Sequence, residues 1–98
     1  MIKEVVIYGC GNMGLAAAGT VLQAGYTVAC FVDKGVHEEK DIQLDGRIFK
    51  AIHPEAMNPS EKHLDILIAM AAAPVCEVKD YLLRLGCEHV YPAGDYIL

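Results

Sequence analysis

The chain is short of positive charge, of paired cysteines and of any long unbroken apolar run. Lysine and arginine number 8 against 13 acids, for a net charge of −5. No segment gathers a cluster of basic residues, which argues against a nucleic-acid backbone or an anionic membrane surface as partner. No apolar stretch reaches the roughly 18 residues that a spanning helix requires. Met1-Ile2-Lys3-Glu4 sets an acid directly after its base, and the apolar run behind it stops on glycines, unlike a secretory leader; the expected location is the cytoplasm. The four cysteines (Cys10, Cys30, Cys76 and Cys87) include no CxxC pair, so free thiols in a reducing compartment are expected. His37, His53, His63 and His89 are scattered without metal-ligand spacing, and no metal is expected. No Ser/His/Asp or Cys/His set can be assembled as a nucleophilic centre. Internal repeats and low-complexity tracts are missing as well.

What the chain does have is apolar residues, 54% of 98 positions, enough for one domain (1–98) with a real core. Val5 to Tyr8 is a continuous apolar run of the kind buried on both faces of a parallel sheet. Leu15, Ala18, Val21 and Leu22 recur at helical spacing from Asn12 to about Ala24, with Asn12 as the expected cap and Gly25 as the stop. "YTVACFV" reads as a second buried strand ending at Asp33. The polar stretch "DKGVHEEKDIQLDG" reads as a loop. "RIFKAI" (Arg47 to Ile52) reads as a charged edge strand, Pro54 to Met57 as a single helical turn and Asn58-Pro59-Ser60 as a turn. "LDILIAM" is another buried strand, Pro74 to about Leu85 a helix closed by Gly86, and "CEHVY" a last short strand. Strands alternating with helices imply an α/β fold, a parallel sheet of about five strands between two helical layers. Counting those five in chain order, the expected arrangement is 3-2-1-4-5, with a crevice between the first and fourth at their carboxyl ends.

That crevice is where the glycines fall. "GCGNMG", Gly9 to Gly14, spells G-x-G-x-x-G directly after a strand and at the opening of a helix, and Asp33 stands 19 positions beyond Gly14. In this context Gly9 permits the sharp turn, Gly11 admits a pyrophosphate to the backbone, and Gly14 lets helix and sheet approach. The amides of Asn12, Met13 and Gly14 form an anion site at a helix start, and Asp33 either accepts ribose hydroxyls or caps its own loop. Its charge disfavours a ribose 2′-phosphate, an inference that the neighbouring Lys34 weakens. The "AMAAAP" loop with Ala71 is expected to line the opposite wall, offering room but no acid, base or nucleophile. Asp80 and Tyr81 are expected away from the crevice mouth.

The pattern "VVIYGCGNMG…GYTVACFVDKG…DGRIFKAIHPEAM…LDILIAM…LLRLGCEHVYP" resembles a small Rossmann-like domain. It is similar to the N-terminal domain of PglD-type sugar acyltransferases, and to domains preceding FkbM-type methyltransferases and polysaccharide sugar dehydratases. The resemblance implies a UDP-sugar nucleotide at Gly9, Gly11, Gly14 and Asp33. The turn carries Asn12-Met13 where those acyltransferases have a histidine, and the hexapeptide β-helix that performs acyl transfer is missing. The expected role is therefore a nucleotide-binding module, for NAD or a UDP-sugar, that is not catalytic alone. It would serve a sugar- or polysaccharide-modifying transferase through a following catalytic domain or a homo-oligomer. An NAD-binding domain of an oxidoreductase and a scaffold that has lost its ligand are the alternatives. The closing Asp95-Tyr96-Ile97-Leu98 reads either as a junction to a following domain or as a turn packed on the sheet edge.

Overall fold

The apolar run near the start forms β1 (Glu4–Tyr8), and it occupies the centre of the sheet, between β2 (Thr27–Val32) and β5 (Asp65–Ile68), parallel to both. The computed structural model describes residues 3–70 and 75–97, the Ile97 side chain excepted. β4 (Arg47–Ile52) pairs with β2, and β6 (His89–Pro92) with β5, again in parallel. The five strands foreseen from the sequence thus take their expected order. A sixth changes the edge. Lys40–Leu44, expected as loop, is a strand, β3, paired antiparallel to β4, and the whole sheet reads β3-β4-β2-β1-β5-β6. The reason is the turn between them: Asp45 and Gly46 both have positive φ, 56° and 73°, the geometry that joins two right-twisted strands through a two-residue hairpin.

Helices cover both faces. On one, α1 (Asn12–Gln23) and the short α4 (Ala93–Ile97) bury Ala17, Ala18, Val21 and Ala93 against Ile7, Phe31 and Leu67. Phe31 meets Phe49 edge to face at 6.1 Å. On the other, α3 (Val75–Arg84) and the connection from β4 bring Leu82, Cys87 and Met57 against Val6, Val32 and Ile66. That connection is a single 3-10 turn (Pro54–Ala56) followed by α2 (Pro59–Lys62), where the sequence predicted only turn chemistry. Asn58 closes a reciprocal capping box with Glu61, at 2.8 and 2.9 Å.

Two local features bear on the site. The β1–β2 register slips by one: Val5 faces Val28, but Val6 faces Cys30. Ala29 is the extra residue, a bulge, so Ala29 and Cys30 both pack toward α3, while Val28 and Phe31 pack toward α1. The segment Ala93–Ile97, α4, is tied into the fold through Tyr96. Tyr96 stacks edge to face on Tyr26 at 6.1 Å, its hydroxyl donates to Asp65 Oδ2 at 2.7 Å, and Lys3 Nζ lies 2.9 Å from the same oxygen. Burial pushes the Asp65 carboxyl up, but the bonds from Lys3 and Tyr96 outweigh it and hold the group below its ordinary value.

Candidate functional site

The turn between β1 and α1 is fixed by backbone packing at two of its glycines. Gly9 has φ +115°, and a Cβ placed there would lie 2.5 Å from the Ala69 carbonyl oxygen at the end of β5. A Cβ on Gly14 would overlap the Gly9 carbonyl oxygen. No larger residue fits either place without moving the chain. Gly11 is different. Its φ is −87°, and a Cβ there would meet nothing within 4 Å, so the chain itself sets no demand for glycine at this point.

Gly11 is also the residue that precedes the first turn of α1. Asn12, expected to cap that helix, is its first residue instead, and no side chain caps the start; no acid stands in the first turn either. The amides of Asn12, Met13 and Gly14 have no carbonyl one turn back to accept from them, and the helix dipole adds partial positive charge there. Asn12 and Met13 are exposed and Gly14 is buried. Met13, 52% exposed, stands at the rim of an apolar groove of about 240 Å³ between α1 and α4, floored by Ala69 and Ala93.

Asp33 follows β2 and is partly buried. Its Oδ1 accepts from the Gly35 amide at 2.8 Å, capping the loop, while Oδ2 accepts from the Cys10 amide at 3.3 Å and the Cys10 thiol at 3.7 Å. The loop-capping reading of this acid is thus seen directly, and its second oxygen reaches into the glycine turn. Burial first, and then the Asp33 charge, push the Cys10 thiol up, which keeps it a protonated donor. Gly9 N donates to the Val32 carbonyl at 2.8 Å, so turn and acid are joined at two points. Lys34, the next residue, turns the other way, and its ammonium lies 3.8 Å from the centroid of the Tyr81 ring on α3. Tyr81, expected away from the crevice mouth, is thus tied to the residue beside Asp33, and its hydroxyl donates to Glu55 Oε2 at 3.4 Å. No periodicity announces this contact, because 47 positions separate the partners. Ala71, on the expected opposite wall, lies outside the described residues.

A second hollow, of about 340 Å³, opens on the α3 face between β2 and the segment after β4, and is lined by His37, Glu39, Lys50, His53 and Glu61 with Cys30 at its base. The Cys30 thiol is pushed up to about 12, by burial and then by Glu61. His53 Nδ1 accepts from the Glu55 amide at 3.1 Å and so serves the 3-10 turn. Among the described residues no group of three or more His, Cys, Asp or Glu could hold a metal ion, and no helix is long and apolar enough to cross a membrane.

No known family model matches the chain, and no curated protein matches its sequence. Neither comparison supports the acyltransferase or methyltransferase resemblance. Among solved structures, an aspartate semialdehyde dehydrogenase II from Vibrio cholerae, solved as a complex with ASA, superposes with a TM-score of 0.63 over 88% of this chain, at 14% identity. The fold is Rossmann-like. The chain spans 29% of that enzyme's length, and at such low identity the architecture is what the two share.

Proposed function

We propose that the domain binds a nucleotide whose ribose is unsubstituted, with phosphates at the first-turn amides of Asn12, Met13 and Gly14 and ribose hydroxyls at Asp33. One observation carries this reading. The Asp33 carboxylate hydrogen-bonds the Cys10 amide inside the glycine turn, so an anion site and a hydroxyl acceptor adjoin, as a nucleotide's phosphate and ribose do. A carboxylate accepts about four hydrogen bonds, and Asp33 accepts three here, two of them long enough to yield to a ribose hydroxyl. The space beside Gly11 supports the same reading, since a Cβ there meets nothing within 4 Å.

NAD is the ligand of first choice, and the likeness of fold to a dehydrogenase supports it over a UDP-sugar. NAD when bound would supply a hydride acceptor; this chain's residues would hold its phosphates and one ribose. Catalytic groups would come from a further domain or a second chain, in an oxidoreductase setting. The transferase setting rests on sequence resemblance alone. The test is calorimetric titration of the chain with NAD, NADP, a UDP-sugar and S-adenosylmethionine. NAD should bind, and Gly11→Val should abolish binding while costing no more than about 1 kcal/mol of stability, because its backbone is ordinary and its surroundings open. Silence from all four at millimolar concentration refutes the proposal, and full binding by Gly11→Val refutes the site.

A further inference from the structure

We infer that Tyr81 sets the domain's preference for ribose without a 2′-phosphate, by holding the Lys34 ammonium away from the space beside Asp33. The inference rests on the nucleotide reading above and adds to it a specificity residue on a different helix.

Asp33 and Lys34 are neighbours at the carboxyl end of β2, and they carry opposite charges. A 2′-phosphate brought to Asp33 meets a carboxylate, and it can be accommodated only if a cation stands close by. Lys34 is the cation nearest in sequence, and its four-carbon stem is long enough to swing its head from one side of the strand to the other. It lies instead over Tyr81, with Nζ 3.8 Å from the ring centroid, close enough for the ring face to attract the ammonium. The ring is carried by α3, and its hydroxyl also donates a long bond to Glu55, in the 3-10 turn that His53 caps. The lysine is therefore held toward α3 while the carboxylate beside it faces the glycine turn. Lys40, whose charge also reaches Cys10, is common to every variant below and cancels in the comparison.

The experiment measures the dissociation constants of NAD and NADP for the whole chain and for four variants. The wild type should favour NAD. Tyr81→Leu removes the ring, frees Lys34 and should improve NADP relative to NAD by about five-fold, on the scale of one cation–π contact exchanged for a phosphate contact. Tyr81→Phe keeps the ring and should keep the wild-type ratio. Adding Lys34→Ala to Tyr81→Leu should cancel the gain. Lys34→Ala alone should leave the ratio within about two-fold, because a lysine held on Tyr81 contributes nothing to either ligand. This last variant changes an exposed side chain, so it can overturn the inference even if Tyr81→Leu fails to fold. A selective loss of NADP affinity in Lys34→Ala alone overturns the inference, as does a folded Tyr81→Leu with an unchanged ratio. If the wild type binds NAD, either result removes the role of Tyr81 and leaves the nucleotide site standing. If it binds neither nucleotide, both fall together.

Discussion

Two helix starts in this domain are built on opposite plans. α2 has four residues, and its start is closed on itself: the Asn58 side chain accepts from the Glu61 amide, and the Glu61 side chain accepts from the Asn58 amide. α1 has 12 residues, and its start is preceded by glycine, with no side-chain cap and no acid in the first turn. Where stability alone is at stake, the chain spends a full capping box on a single turn of helix. At the end of β1, where packing against the sheet holds α1 through Gly14, Ala17, Ala18 and Val21, the first-turn amides are left without a side-chain cap. The contrast separates amides that serve the fold from amides available to a ligand.

The strongest way to break the open start is Gly14→Ala. Its Cβ would collide with the Gly9 carbonyl oxygen, and the cost should be about 3 kcal/mol or more by chemical denaturation; a loss under about 1 kcal/mol would show that turn and helix are not packed as described. Gly11→Asp makes α1 resemble α2. It should stabilise the fold by a few tenths of a kcal/mol through capping and the dipole, yet weaken NAD binding by ten-fold or more, about 1.4 kcal/mol, because a carboxylate then occupies the anion's place. Parallel gains in melting temperature and affinity would refute that. Asn58→Ala, at the closed start, should cost about 1 kcal/mol of stability and leave NAD affinity unchanged.

The smallest effect belongs to a third anchor, Asp65, which holds α4 through Tyr96 rather than through a cap. Its folded value is lowered, so its contribution is present above the ordinary carboxylate value and is lost as pH falls through the folded one. The stability gap between wild type and Asp65→Asn, about 0.5–1 kcal/mol at pH 7 with Lys3 half exposed, should begin to narrow only below a pH of about 3.9 and close below the folded value. A gap that persists at pH 2 would show that packing, not charge, sets it.

The parts of the fold buried on both sides were legible in the sequence. β1, β2 and β5 are continuous apolar runs, and their order followed from the rules of parallel sheets. β3 was not legible by period, because a strand at the edge needs only Ile42 and Leu44 against the core and leaves Lys40, Asp41 and Gln43 to solvent; the dipeptide Asp45-Gly46 was its one local signal. The glycine turn was legible as a motif, but the cap was displaced by one residue, since the close approach of Gly14 to Gly9 settles where α1 begins. The contacts of Asp33 with Cys10 and of Lys34 with Tyr81 span 23 and 47 positions, and no local pattern encodes a pairing at that range.

The bulge at Ala29 decides which of two neighbours looks at the turn. Alternation along β2 sends Phe31 toward α1 and Val32 toward α3, and one residue further it sends Asp33 toward Cys10 and Lys34 toward Tyr81. A strand without the extra residue would reverse every side chain beyond it. Phe31 would lose its edge-to-face contact with Phe49, and at the end of the strand the lysine would lean over the glycine turn and the aspartate over the aromatic ring. The extra alanine thus aims the aspartate at the glycine turn and the stem of the lysine at α3, where the Tyr81 ring meets its ammonium.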